Sequence, residues 1–308
     1  MAQITASLVK DLREKTGAGM MDCKKALQEC DGDFESAVDW LRKKGHALAG
    51  KKSGRVAAEG LVAVAVDGSK GVAVELNAET DFVARNENFQ ELVSNVVHTA
   101  MEVENVEELS EKKCMNASKS VKEEIVDAIA VIGENMNLRR MSSLEVSSGI
   151  VASYVHNSVK ENVGKIAVLV AIESDKVTPD LEQLGKQIAM HVAAAKPVAL
   201  TSSEVDSSLV EREKAIFFEQ AKASGKPDNI VEKMVEGRVN KFYKEVVLLE
   251  QLFVIDGKTP VKDVVNSFAK EHNTEVEIKG FIRYEVGEGI EVETQDFAQE
   301  VAEISGTK

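Results

Sequence analysis

The stretch Leu61–Leu76, LVAVAVDGSKGVAVEL, decides the fold of this chain. It holds two valine-rich runs that are joined by the turn residues Asp67–Lys70. β-Branched residues favour strands, and an Asp-Gly turn between two such runs is typical of a β-hairpin. A helical pattern follows from about Glu87 to Val103. The stretch therefore predicts a pair of antiparallel strands followed by a helix.

The same order of elements occurs a second time along the chain. Strands are predicted at Ile150–His156 and Lys165–Ile172, and a helix is predicted over about Asp180–Ala195. A further strand is predicted over Glu275–Val286. A repeated hairpin-then-helix order is the pattern of an internal duplication. The sequence thus predicts a helix-rich α+β protein whose core consists of two related subdomains with small antiparallel sheets.

Residues 1–55 differ from the rest in charge and periodicity. They hold 11 basic and 8 acidic residues, against 27 basic and 44 acidic residues in the remainder. Helical periodicity is broken at Gly17–Gly19 and at Asp31–Asp33, which predicts three short helices in a compact bundle. The basic stretch Lys43–Gly54 is predicted to be a linker. Because so small a bundle is marginally stable alone, its exposed loop is expected to dock on a partner.

Residues 203–247 show the pattern of a helical hairpin. Apolar residues recur at helical spacing on both sides of the turn Ser224–Pro227, with charges between them, as in an antiparallel coiled coil. The positions expected to face one another are Leu209, Ala215, Phe218 and Ala221 on the first helix and Ile230, Met234, Val239, Phe242 and Val246 on the second. A short terminal helix is predicted over Gln295–Ile304.

A length of 308 residues has room for two or three domains. The patterns above divide it into six segments. They are a helical module with its linker (1–55), a first core subdomain (56–145), the first part of a second core subdomain (146–202), the inserted coiled-coil hairpin (203–247), the second part of that subdomain (248–286) and a short C-terminal module (287–308).

Composition disfavours several classes of protein. Lys and Arg total 38 and Asp and Glu total 52, so the formal net charge of −14 disfavours nucleic-acid and anionic-membrane binding by the chain as a whole. No apolar run approaches the ~18 residues of a membrane span, and the first residues lack the pattern of a signal peptide. Cys23, Cys30 and Cys114 have no metal-ligand spacing and are expected to be reduced thiols. The sequence therefore predicts a soluble, cytoplasmic protein.

No motif in the sequence indicates catalysis. The signatures of phosphate loops, dinucleotide sites, zinc proteases and serine hydrolases are missing, and the five histidines are scattered without ligand spacing. We therefore predict no catalytic residue, metal site or cofactor, and an enzyme is the less favoured class. Two alternatives stay open. One is an acid/base enzyme whose carboxylates meet only on folding, and the other is an RNA- or ribosome-associated protein that uses the helical hairpin and the basic linker.

In two segments, the predicted helices and strands do not by themselves explain why particular residues are present. Thr80–Arg85, TDFVAR, places a phenylalanine beside an acid directly after a strand. The pattern alone favours a helix cap with Phe82 in the core. Thr16–Lys25, TGAGMMDCKK, places a methionine pair between two helices, which fits either a partner pocket or a small core.

Both segments resemble signatures of the bacterial elongation factor Ts family. Further matches follow in the family's order and extend over essentially the whole chain, at Ile132–Asn135, Tyr154–His156, His191–Ala194, Lys233–Arg238 and Gly280–Gly289. The resemblance implies a guanine-nucleotide exchange factor, with no covalent catalysis, that binds elongation factor Tu and releases its GDP. It also implies that the first module is ubiquitin-associated-like and docks on the nucleotide-binding domain of Tu.

The resemblance also implies roles for particular residues. Thr80, Asp81, Phe82 and Val83 would displace Mg²⁺ from Tu. Further contacts with Tu would come from Met20, Met21, Lys24, Ile132, Gly133, His156, Val254 and Ile255. A homodimer or a heterotetramer with Tu is possible, whereas direct nucleic-acid or membrane binding is not expected.

Overall fold

The computed structural model describes residues 4–223 and 227–291. Its helices are α1 (Ala6–Thr16), α2 (Met20–Glu29), α3 (Phe34–Lys52), α4 (Asp81–Ala84), α5 (Glu87–Ala100), α6 (Val106–Glu111), α7 (Val121–Ile132), α8 (Pro179–Ala195), α9 (Ser207–Lys222), α10 (Asp228–Val246) and α11 (Val261–His272). Its strands are β1 (Glu59–Asp67), β2 (Lys70–Ala78), β3 (Met136–Glu145), β4 (Gly149–His156), β5 (Val163–Gly164), β6 (Ile166–Ser174) and β7 (Val276–Glu285). These elements form an α+β fold, as predicted. Within the described ranges, no helix has the length and apolar character needed to cross a membrane.

The three predicted helices at the start of the chain are present as α1, α2 and α3. Thr5 caps α1 by accepting a hydrogen bond from the Leu8 N–H at 3.2 Å, and Asp33 caps α3 through the Ser36 N–H at 2.8 Å. Gly17 ends α1 at φ +69°, a left-handed conformation that favours glycine. The helices enclose a small core of Val9, Leu12, Cys23, Ala26, Leu27, Ala37 and Leu41.

The linker predicted at Lys43–Gly54 is wrong, because α3 continues through it to Lys52. Gly45 is buried and lies so close to α7 that an added Cβ would sit 3.0 Å from the Ala130 methyl group. Ala49 packs against the core beneath α7. A glycine and lysines suggest a flexible connection when read alone, but packing against α7 stabilises the helix here.

The first sheet has the strand order β3-β2-β1-β5 and all its pairs are antiparallel. β1 and β2 form the predicted hairpin, with register from Glu59 opposite Ala78 to Asp67 opposite Lys70. The second sheet has the order β4-β6-β7 and contains the second predicted pair of strands. Four elements were not predicted from the sequence, namely the strands β3 and β5 and the helices α6 and α11.

The two sheets stack face to face, with helices on both outer surfaces. Side chains at alternate positions of the strands meet in the middle, including Val62, Val64, Val151 and Leu169. The opposite face of the first sheet packs on α5 and α7, and that of the second sheet on α8 and α11. Because the strands are buried on both faces, they read as continuous apolar runs rather than as alternating ones.

The predicted helical hairpin is formed by α9 and α10. Six of the nine residues predicted to face one another pack in apolar clusters of the hairpin and its base, namely Leu209, Ala221, Met234, Val239, Phe242 and Val246. The hairpin core contains Phe217, Ala221, Val231, Met234, Val235 and Val239. Phe218, Ala215 and Ile230 are exposed instead, so their assignment to the seam is wrong. Most of the turn Ser224–Pro227 and the helix predicted over Gln295–Ile304 lie outside the described residues.

Candidate partner-binding surface

The segment that carries Phe82 follows directly on β2 and forms the single-turn helix α4. Val83 and Ala84 are buried in the core beneath it, whereas the side chain of Phe82 is 72% exposed. Successive residues of a helix point about 100° apart, so burial of Val83 and Ala84 turns Phe82 outward. The cap with Phe82 in the core, which the pattern alone favours, is therefore wrong.

Arg85 is a charged neighbour of Phe82. The Arg85 guanidinium lies 5.8 Å from the centre of the phenyl ring and also pairs with Asp81 at 3.1 Å. These surface contacts are individually weak. They leave most of the ring free to enter a pocket on another molecule.

The end of α7 lies beside the Phe82 turn. Gly133 ends this helix at φ +83°, and β3 begins three residues later, paired with β2 through Ala78 and Met136. The two chain segments therefore leave the sheet side by side, and the Thr80 N–H donates to the Glu134 carboxylate at 3.0 Å. Ile132 and Gly133 thus share one corner of the molecule with Thr80–Val83.

The methionine pair lies at the start of α2. Met21 is 75% exposed, and Met20 and Lys24 are also exposed. Gly17, in the loop just before them, packs against Val131 on α7, where an added Cβ would lie 3.3 Å from its methyl carbon. The loop before α2 therefore sits against α7 near its C-terminal end. The methionine pair was expected to fill either a partner pocket or a small core, and burial in a small core is wrong for Met21.

The other residues implied by the resemblance belong to the second sheet and its helices. His156 is exposed at the end of β4, and the Tyr154 hydroxyl lies 3.1 Å from its Nδ1. Val254 and Ile255 are exposed in the loop between α10 and α11. Leu252, which we did not predict as a site residue, is exposed beside them. A loop has no periodicity from which its exposure could be predicted.

The buried side chain of His191 on α8 holds this loop. The Val254 N–H donates to its Nδ1 at 3.2 Å, so Nδ1 is the unprotonated nitrogen and Nε2 donates to the Gln251 side-chain oxygen at 2.9 Å. The Gln251 amide in turn donates to the carbonyl oxygens of Ala195 and Glu245. Burial lowers the pKa of His191 below its usual 6.5, and the bond with Gln251 offsets part of this shift.

The state of His191 predicts how stability depends on pH. Below about pH 6.5 the unfolded chain protonates this histidine, whereas the folded chain keeps it neutral to a lower pH. The neutral side chain therefore contributes to the free energy of unfolding above this pH, and the contribution is lost as the pH falls. We expect the free energy of unfolding to fall more between pH 7.5 and 5.0 in the wild-type protein than in His191→Asn. Urea denaturation at both pH values measures the difference. Equal pH dependence in the two proteins would contradict the prediction.

The surface presents exposed apolar side chains beside charged and hydrogen-bonding groups. Across residues 4–223 and 227–291, no group of three or more His, Cys, Asp or Glu side chains is placed to hold a metal ion. The chemistry that this arrangement supports is insertion of exposed apolar side chains into another protein.

Comparisons with known proteins identify the family. The family model described as Elongation factor TS matches residues 79–288. The chain belongs to the elongation factor Ts family. The match begins at Glu79, so it includes the Phe82 turn, the end of α7, His156 and the loop after α10.

Curated relatives extend the similarity over residues 1–78 as well. The chain is 58% identical to Elongation factor Ts of Rickettsia bellii (strain OSU 85-389) over 98% of its own length and 97% of the relative's. It is 56% identical to Elongation factor Ts of Rhodospirillum centenum, over 99% and 100% of the two chains, and 56% identical to that of Paramagnetospirillum magneticum, over 100% and 99%. As a member of the elongation factor Ts family, the protein is a translation elongation factor.

Proposed function

We propose that the protein is a guanine-nucleotide exchange factor for elongation factor Tu. It binds Tu·GDP, displaces Mg²⁺ from the nucleotide site and promotes release of GDP, so that GTP can load. The observation that carries the proposal is the exposure of Phe82 and Met21, the two most exposed large apolar side chains in the described chain. Isolated exposed apolar residues are ordinary, but these two lie in the two segments that resemble family signatures.

Displacement of Mg²⁺ requires only a small movement in Tu. Mg²⁺ demands near-ideal octahedral geometry at ~2.0–2.1 Å, so a shift of about an ångström in a ligand-bearing element weakens its binding. The nucleotide phosphates then lose their main counter-charge. Burying a phenylalanine yields roughly 1.5–3 kcal/mol, which is insufficient alone. The apolar contacts of Met20, Met21, Val254 and Ile255 supply further binding energy in this proposal.

The exchange cycle needs no covalent step. Binding of this protein weakens GDP on Tu by some factor, and by linkage GDP weakens this protein on Tu by the same factor. An incoming nucleotide therefore expels the exchange factor and completes the cycle. We also propose that residues 1–55 act as a docking module and that the core and hairpin divide at the boundaries predicted from the sequence.

The direct test is release of a fluorescent GDP analogue from Tu, measured by stopped flow as the protein is titrated. We expect release to accelerate to a plateau, and we expect excess Mg²⁺ to slow it. Release that stays at the rate of Tu alone would reject the proposal.

Replacing Met21 with serine tests the role of the first module. Because the side chain is 75% exposed, we expect no more than about 0.5 kcal/mol of lost stability. We expect binding to Tu to weaken several-fold because an apolar contact is lost. Isothermal titration with nucleotide-free Tu gives the affinity. The matched control is Met115→Ser, which changes an exposed methionine outside the proposed surface; equal effects of the two variants would contradict docking through Met21.

A further inference from the structure

A pair of carboxylates fastens the Phe82 turn to the end of α7. Beyond the last backbone pair of β2 and β3, the Glu134 carboxylate accepts hydrogen bonds from the Thr80 N–H at 3.0 Å and from the Thr80 hydroxyl at 2.8 Å. In the reverse direction, the Glu79 carboxylate accepts from the Asn135 N–H at 2.5 Å. Side chains thus continue the pairing of the two strands after their backbones separate.

The helix that carries Phe82 depends on this anchor. α4 has only four residues, which is too short to be stable through its own hydrogen bonds. Thr80 occupies its N-cap position, yet its side chain accepts no bond from the backbone of the turn. The hydroxyl donates to Glu134 instead, so the usual capping interaction is replaced by a bond to another element. The direction of α4 is therefore set by Glu134 and by burial of Val83 and Ala84.

The first module reaches the same corner. Lys52, the last residue of α3, donates to the Gly133 carbonyl oxygen. Arg55 pairs with Glu79 at 3.3 Å, and its own carbonyl oxygen accepts from the Asn135 side chain at 2.7 Å. The corner thus joins α3, β2, α7 and β3. It keeps the Phe82 turn in a fixed position relative to the first module.

We propose that Glu134 is a positioning residue that fixes the direction in which Phe82 is presented to the partner. The proposal rests on the proposed exchange function. Without Glu134, the turn samples other directions, so the complex forms but holds Phe82 in its effective position less often. One charge-assisted hydrogen bond of ordinary strength changes such a population by roughly tenfold or more. The effect falls on the maximal rate of GDP release rather than on affinity.

The test measures GDP release from Tu as a function of exchange-factor concentration. We expect Glu134→Ala to lower the maximal rate by about tenfold and to change the half-saturating concentration by less than about threefold. The control is Glu111→Ala, which removes an exposed carboxylate paired with Lys122 at 3.3 Å and is expected to keep the wild-type rate. An unchanged maximal rate, or a loss confined to the half-saturating concentration, would overturn the proposal.

A double mutant tests whether Glu134 acts through Thr80. Thr80→Val removes the hydroxyl donor with little change of shape. If the two side chains act as one unit, Glu134→Ala combined with Thr80→Val is no slower than Glu134→Ala alone. Independent, multiplying losses would overturn the proposal. Should Glu134→Ala fail to fold, Glu134→Gln replaces it, because an amide oxygen still accepts one of the two donors and an intermediate rate is expected.

Amide hydrogen exchange of the free protein separates this proposal from the proposed function. Glu134→Ala is expected to raise the exchange rates of residues 80–85 at least tenfold, with no change in α8. This result does not depend on Tu. Absence of GDP release by the wild-type protein would reject the exchange function, whereas unchanged amide exchange in the variant would reject the positioning role.

Discussion

Replacing Phe82 with alanine is expected to slow the release of GDP from Tu by about tenfold to a hundredfold while leaving the fold almost as stable as before. Full burial of a phenylalanine contributes roughly 1.5–3 kcal/mol, which corresponds to this range of rates if the ring is buried only in the complex. In the free protein the ring is 72% exposed. Truncation therefore costs the fold less than about 1 kcal/mol. Stopped-flow release and thermal unfolding measure the two effects.

The chain offers a matched control in Phe218 on α9. This phenylalanine is also exposed, and the Lys222 ammonium lies 5.8 Å from its ring centre, the same distance as Arg85 from Phe82. Phe218→Ala removes the same atoms from a phenylalanine that is 41% exposed and lies outside the proposed surface. We expect it to retain wild-type exchange. Equal slowing by both variants, or an unchanged rate in Phe82→Ala, would show that Phe82 has no special role.

The strand pairs could be predicted because their apolar runs are bounded by turn residues, and pairing within a hairpin is local. β3 could not be predicted in this way. Its residues Met136–Glu145, MNLRRMSSLE, are mixed in polarity, and only pairing with β2 makes them a strand. The continuation of α3 through Gly45 was missed for a related reason. Tight packing on Ala130 outweighs the low helix propensity of glycine.

The candidate site was predictable only in part. Local pattern placed Phe82 in the core, because a cap followed by an apolar residue is common where a helix starts. Its exposure depends on Val83 and Ala84, which fill the space beneath the turn. This packing involves residues that are distant in the sequence, so local pattern cannot predict it. The resemblance to the elongation factor Ts family, unlike the local pattern, implied that Phe82 contacts a partner. Neither route singled out Glu134 or His191 as supports, because their partners lie 54 and 63 residues away along the chain.

Among the substitutions considered, replacing Glu75 with glutamine or alanine is expected to lower the free energy of unfolding most. Glu75 is fully buried on β2, and its carboxylate accepts hydrogen bonds from Arg139 at 3.0 Å, Arg140 at 2.5 Å and the Gly287 N–H at 2.8 Å. β3 has a β-bulge here: Glu75 faces Arg140 and Leu76 faces Leu138, so Arg139 is the extra residue and both arginines reach the same carboxylate. Arg140 also donates to the Glu285 carbonyl oxygen at the end of β7. The carboxylate therefore ties the two sheets together.

The size of the loss follows from what remains after the substitution. Removing one partner of a buried ion pair typically costs 3–5 kcal/mol, because the other charge stays buried without compensation. Glu75→Ala removes the acceptor that Arg139, Arg140, the Asn77 amide and the Gly287 N–H share, although each arginine keeps one bond to a backbone carbonyl oxygen. Glu75→Gln keeps the shape but loses the charge. We expect the free energy of unfolding to fall by about 3–5 kcal/mol in Glu75→Ala and by somewhat less in Glu75→Gln, measured by urea denaturation at pH 7.5.

The pH dependence identifies the charge as the cause. Burial raises the pKa of Glu75, but the hydrogen bonds from Gly287, Asn77 and Arg140 outweigh it and hold the pKa below its usual 4.5. Its contribution is therefore present above pH 4.5 and is lost as pH falls below that value, so the wild-type protein and Glu75→Gln converge in acid. The control is Glu59→Gln, which breaks the surface pair with Lys165 and is expected to cost less than about 1 kcal/mol. Loss of a buried acceptor that two arginines share should lower the free energy of unfolding more than loss of a solvated one. If Glu75→Gln lowers it no more than Glu59→Gln does, the buried carboxylate does not hold the sheets together.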